Sequence, residues 1–208
     1  MFSFNSREKK ELLAGTLIFV LVALTIMKFD PIFLFSLAIN FTENIDIILF
    51  IISLSLIIFP LWLFHELGHK FSAQYYGLSS EFHLYPNLAF FSLISVILPI
   101  QFIAPGAVHV RGYYLSDISA RIAMAGPLIN ILLGGGFLAL SAVLSGIMAG
   151  ILSWVSYLSF NIAVFNLIPF SVLDGAKIYR WNPSVFLVIF SSSLILYLFH
   201  PHGIFGGI

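Results

Sequence analysis

Five long apolar stretches, residues 12–29, 45–69, 118–144, 147–170 and 185–199, dominate this chain and leave few places for anything else. A helix needs about 20 mostly apolar residues to cross a bilayer, and only the last stretch is clearly short of that length. Composition points the same way. Hydrophobic residues make up 60% of the 208 and charged residues 9%, with a mean hydropathy of +1.06, whereas a soluble domain carries about 25% charged residues. The chain is predicted to be an all-α polytopic membrane protein with about five transmembrane helices. A small β hairpin or strand element and a re-entrant or interfacial segment are expected between the second and third. With no long polar stretch, repeat or linker, residues 1–208 read as a single integral-membrane domain.

Charge and cysteine usage exclude several classes. Nine Lys and Arg balance nine Asp and Glu, so no basic surface argues for nucleic acid as a partner. No cysteine is present, which removes disulfides, thiol nucleophiles and thiolate metal sites and leaves His, Asp and Glu as the metal-ligating side chains. Arg7, Lys9 and Lys10 precede the first stretch in the manner of a signal peptide, but MKFDP at 27–31 offers no small-residue cleavage site. The first stretch is read as a retained helix.

Orientation follows from the positive charges, which stay preferentially on the cytoplasmic side. Along the chain the flanking regions hold Arg7, Lys9 and Lys10, then Lys28, then Lys70, Arg111 and Arg121, then none, then Lys177 and Arg180, then none. High and low values alternate, so the five-helix reading and a cytoplasmic N-terminus support each other in a multi-pass protein of the cell membrane.

On this map the second helix runs inward and reaches WLFHELGHKF, residues 62–71, at the cytoplasmic boundary. Residues four apart share a helix face, so His65 and His69 can hold one metal ion, with Glu66 about 100° round beside the open coordination position. Zinc held in this way supplies a Lewis acid that lowers the pKa of water toward 7 and polarises a carbonyl. The glutamate then takes the proton and passes it to the leaving amine. The alternative is a pair of interfacial histidines, against which stands the cost of placing an acid near the bilayer. Gly68 would admit a closely packed neighbour.

A catalytic zinc needs a third protein ligand. Glu81 and Asp117 fall in cytoplasmic-side connections, Asp30, Glu43 and Asp46 on the opposite face, and Glu8 and Glu11 before the first helix. Asp174 is the acid at matching depth on a converging helix, although Asp-Gly is also a common turn dipeptide. His83 and His109 read as loop and strand residues, and His200 and His202 as residues of the outer side.

HELGH at 65–69, followed about a hundred residues later by NLIPFSVLDG at 166–175, resembles the site-2 protease family of intramembrane zinc metalloproteases, here in a compact prokaryotic form. AGPLIN at 125–130 is similar to that family's Gly-Pro segment in its third core helix. Ser171 stands where many members carry a second proline, and Ala176 where many carry a second glycine. The resemblance implies one zinc per chain, held by His65, His69 and Asp174, with Glu66 as general base and Asn166 in the substrate site. It implies an endopeptidase that cuts within or next to transmembrane segments of membrane-protein substrates. The alternatives are a zinc-binding or transport protein and a catalytically silent relative. Transport would want ligands staged at several depths, and the intact motif residues argue against silence.

A transmembrane substrate hides its scissile carbonyl in an intrahelical hydrogen bond, so cleavage requires unwinding and a new backbone partner. AVHVRGYYL, 107–115, has a strand-like composition between turn residues and is expected either to bind the unwound substrate by strand addition or to form a plain hairpin. Residues 88–104, interrupted by Pro99, are expected to be the re-entrant or interfacial element, with a similar short element at 31–39. Gly134, Gly135 and Gly136 read as a close-packing site between helices.

Overall fold

The computed structural model describes residues 4–26, 44–97, 103–112, 115–170 and 173–201. The expected element at 31–39, residues 98–102 of the 88–104 segment, Tyr113 and Tyr114 of the expected strand, and Lys28, Asp30, Glu43, Ser171 and His202 lie outside the described residues. Contacts divide the chain into two units, Met1–Leu63 with Glu81–His109, and Phe64–Ser80 with Val110–Ile208.

Helix α1 spans Ser6–Ile26 and starts well before the apolar stretch. The Asn5 side chain accepts the Glu8 N–H at 2.8 Å, a cap that satisfies one of the first-turn donors a helix leaves open. Glu8 and Glu11, expected ahead of the helix, are therefore inside it. Helix α2, Asn44–Tyr75, likewise outruns its expected end at residue 69. Beyond His69 no Gly or Pro intervenes until Gly77, whose φ of 74° ends the helix. The N–H of Leu78 reaches Ala73 O and that of Gly77 reaches Gln74 O, the paired bonds of a Schellman stop. HELGH thus lies inside a helix and not at its end, which holds the two imidazoles in helical register.

Strand β1 (Ser79–Leu84) follows at once and pairs with β2 (Gly106–Arg111), while helix α3 (Pro86–Ser95) lies between them in the chain. Glu81 and His83 are consequently strand residues and not parts of an open connection. The sheet is closed beyond Leu84 by the Tyr85 N–H donating to Pro105 O at 3.1 Å. β2 is therefore not one arm of a local hairpin, since its partner lies on the far side of α3. With 10 residues, α3 is about 15 Å long, half of a bilayer's hydrocarbon core.

The first unit packs on aromatic side chains. Phe19 stacks on Trp62 at 6.2 Å and Trp62 meets Phe82 edge-on at 5.3 Å, each pair contributing about 0.5–1.5 kcal/mol beyond its buried area. The outer edge of β1 is closed by charged groups. Glu8 Oε1 accepts the Phe82 N–H at 2.9 Å and Glu11 Oε2 the Leu84 N–H at 3.0 Å. In the second unit, Lys70 Nζ donates to Ser80 O at 2.9 Å. An exposed edge strand invites unwanted pairing, and polar side chains that occupy its backbone groups prevent it.

The second unit is built from α4 (Ser116–Val143), α5 (Gly146–Asn166), α6 (Asp174–Trp181) and α7 (Pro183–Leu198). Asp117 opens α4 and is not part of a connection. Among the described residues, α4 and α5 are long and apolar enough to cross a membrane by length and composition. At 16 residues, α7 reaches about 24 Å, short of the roughly 30 Å core. α4 and α5 approach closely at Gly134, where a side chain would strike the Phe160 ring, and Ser156 Oγ donates to Gly134 O at 2.7 Å. Small residues and a hydroxyl draw the two backbones together; Gly135 and Gly136 have open space beside them and take no part. Ala123, Leu167, Ile178 and Phe186 form the apolar core beneath α6. His200 is buried against Tyr157 and Phe160.

Candidate metal centre

All residues of the candidate centre belong to the second unit. On α2, the helical spacing of His65 and His69 turns both rings to one side, with centroids 4.8 Å apart and planes at 84°. Asp174 comes from the first turn of α6, so the turn reading of Asp-Gly does not hold: Leu173 occupies the cap position and Asp174 is the first helical residue. Gly175 allows this placement, because a Cβ there would collide with the Leu167 carbonyl at the end of α5.

The three donors converge. His65 Nε2 and His69 Nε2 are 3.2 Å apart, and Asp174 Oδ2 lies 3.1 Å from His69 Nε2 and 3.5 Å from His65 Nε2. A tetrahedral ion with bonds of about 2.0–2.1 Å holds its donors roughly 3.3 Å apart. All three side chains are buried, and among the described residues this is the group of His, Asp and Glu able to hold a metal ion.

The outer nitrogens settle which lone pairs face inward. His69 Nδ1 lies 2.8 Å from the Ile122 main-chain oxygen. A carbonyl can only accept, so this nitrogen carries the proton and Nε2 offers its lone pair. His65 Nδ1 lies 2.6 Å from Asn130 Oδ1, which accepts from it in this orientation of the carboxamide. Two imidazole lone pairs and a carboxylate oxygen pointing at one another repel unless a cation lies among them, so the residues present fit a zinc ion. The partners of the outer nitrogens are of the kind that orient metal-binding histidines.

Gly126 completes the cradle. A Cβ at this position of α4 would fall on Nε2 of both His69 and His65, so the helix can pass beside the donors only as glycine. Gly68 of α2 does the same in return, facing Ala125 and Ile129 of α4. The other Asp174 oxygen, Oδ1, is 3.5 Å from Lys177 Nζ.

Glu66 is buried on α2 next to His65. Asn166 ends α5 with its Nδ2 donating to Ile162 O at 3.0 Å, and among the described residues no hydrogen bond joins it to the three donors. Gly126 and Asn130 fall in the AGPLIN segment noted in the sequence, where neither was given a role of its own, and Ile122 was not singled out. The signal for Asn130 was present: an amide in an apolar helix is expensive unless it is used.

No protein-family model matches the chain, and no solved structure matches it. Among curated proteins it is 34% identical over 195 residues to a Methanocaldococcus jannaschii protein provisionally named as a zinc metalloprotease, over 91% of this chain and 92% of that protein. A second protein of the same organism, named zinc metalloprotease, is 30% identical over 129 residues, or 61% of this chain and 33% of that protein's length. At this identity and coverage, and with HELGH and a third donor converging in one buried centre, the chain belongs to the zinc metalloprotease family.

Proposed function

We propose that this protein is an intramembrane zinc endopeptidase of the site-2 protease type, hydrolysing peptide bonds within or next to transmembrane segments of membrane-protein substrates. The observation that carries the reading is the buried convergence of His65, His69 and Asp174 in a chain that is 60% hydrophobic. His65, His69 and Asp174 hold one zinc. When bound, zinc supplies a Lewis acid that acidifies water and polarises the scissile carbonyl. Glu66 accepts the proton of the attacking water and returns it to the leaving amine nitrogen, a role that suits a carboxylate fixed beside the donors on the same helix.

The membrane reading is supported by two helices long and apolar enough to cross and by the alternation of positive charge. It completes to about five spans, with the N-terminus and the centre on the cytoplasmic side of the cell membrane. The substrate reading is supported by the sheet. With the outer edge of β1 occupied by Glu8, Glu11 and Lys70, a strand added to this sheet goes to β2, where an unwound substrate finds partners for its freed backbone. Asn166, at the end of α5, binds the same substrate.

The test is to purify wild type and Glu66→Gln in detergent, measure bound zinc, and assay cleavage of a panel of transmembrane segments. Equal zinc with cleavage lost in the variant is expected. Retained cleavage would refute Glu66 as base. Zinc-free wild type would refute the centre, and zinc without cleavage in wild type would favour a metal-handling or silent relative.

A further inference from the structure

His65 and His69 differ in what holds them. The outer partner of His69 is a main-chain carbonyl, which no side-chain substitution removes. That of His65 is the side chain of Asn130, and a carboxamide can face either way: with its oxygen toward Nδ1 it accepts a proton, with its amino group there it offers one. The two arrangements select opposite tautomers of His65. With the oxygen inward, Nδ1 is protonated and Nε2 is a donor to metal. With the amino group inward, Nε2 carries the proton and is closed to metal.

Ser159 of α5 decides between them. Its hydroxyl donates to the main-chain oxygen of Asn130 at 2.8 Å, so the lone pairs of Ser159 Oγ are left to face the Asn130 side chain, whose Nδ2 lies 3.4 Å away. That arrangement welcomes the amino group and leaves Oδ1 for His65 Nδ1 at 2.6 Å. Asn130 and Ser159 are both 0% exposed, so water does not compete for either group. We propose that Asn130, oriented by Ser159, is a positioning residue that selects the metal-competent tautomer of His65. The inference rests on the zinc reading given above and assigns a part in it to α5, which contributes no ligand.

The experiment compares wild type, Asn130→Asp, Asn130→Leu and Ser159→Ala in detergent, by zinc competition against a chromogenic chelator and by the visible spectrum of the cobalt-substituted proteins. Asp and Leu are both close to Asn in size, but only Asp can accept the His65 proton. Asn130→Leu is expected to lose about 10–100-fold in zinc affinity, the range found when such outer partners of metal-binding histidines are removed, with a changed cobalt spectrum. Asn130→Asp should keep wild-type affinity within a few-fold, and Ser159→Ala should fall between the two. A role in packing alone would make the buried charge of Asn130→Asp at least as harmful as Leu, and that order would overturn the proposal, as would wild-type zinc affinity in Asn130→Leu. Should Asn130→Leu not fold, ¹⁵N NMR of the histidines in metal-free wild type decides: His65 protonated at Nδ1 is expected, and protonation at Nε2 overturns it. Wild type that binds no zinc at all would sink the parent reading, whereas wild type that binds zinc with an indifferent Asn130 sinks this one alone.

Discussion

His69 Nε2 and Asp174 Oδ2 lie 3.1 Å apart, one on α2 and the other on the first turn of α6. A buried carboxylate facing an imidazole lone pair is stabilised by a cation between them. Replacing Asp174 by Asn keeps the shape but removes the charge and one of three donors. Zinc affinity in Asp174→Asn is expected to fall by on the order of 100-fold or more, measured by chelator competition. Unchanged binding would remove Asp174 from the ligand set.

Gly126 tests the same centre from α4. A methyl group in Gly126→Ala would land on the Nε2 atoms of His65 and His69, so either the helix retreats or the rings turn away. Overpacking of this kind costs about 1–3 kcal/mol. Reduced zinc content is expected together with a lower midpoint of thermal unfolding; full zinc at wild-type stability would show that the cradle is looser than drawn.

The proposed substrate edge makes a separate demand. Single prolines placed at Ala107, Val108, His109 and Val110 of β2 should abolish cleavage where the removed N–H faces outward, at alternate positions, and leave bound zinc unchanged. Cleavage that survives every substitution would exclude strand addition at β2.

Glu11 gives a pH dependence whose sign can be worked out. Burial pushes its carboxyl up, but the Arg7 hydrogen bond, the Leu84 N–H and the charges of Arg7 and His83 together hold it below the ordinary value of roughly 4.3. A carboxyl lowered in the folded state stabilises fully above its unfolded pKa, and that contribution is lost as pH falls through the folded one. Thermal unfolding of wild type should therefore weaken below about pH 4.3 more than that of Glu11→Gln. Parallel curves would show that Glu11 contributes nothing. Arg7 is largely exposed, so added salt should shrink the difference.

Asn182 caps α7, its Oδ1 accepting the N–H groups of Ser184 and Val185 at 3.0 and 3.1 Å. Asn182→Ala is expected to cost about 1 kcal/mol by denaturant unfolding in detergent. A change below a few tenths would mean that water caps this end equally well.

Much of the centre was legible because it is local. Two histidines four residues apart share a face in any helix, and that reading needed no tertiary information. The apolar stretches likewise marked α1, α2, α4, α5 and α7, although their ends were misplaced wherever charge began before the helix stopped. Glu8 and Glu11 looked like polar residues ahead of a span, and Lys70 like the close of one. All three are helical, and their charges are held by the backbone of β1, a strand that hydropathy alone did not reveal. β1 was missed because Ser79–Leu84 is short and only half alternating, and its stability comes from β2 and from side chains far away in sequence.

Helical period, apolar run length and the chemistry of histidine and glutamate were enough, without coordinates, to indicate a helical membrane-type chain with a metal motif. These properties repeat over a few residues and survive in any context. Which carbonyl meets Nδ1 of His69, which amide meets Nδ1 of His65, and why Gly126 must be glycine depend on α4 lying against α2. That approach is the sum of many weak packing contacts among near-equivalent apolar side chains, so no local pattern encodes it. The sequence could offer the donors; the fold decided which way their lone pairs point.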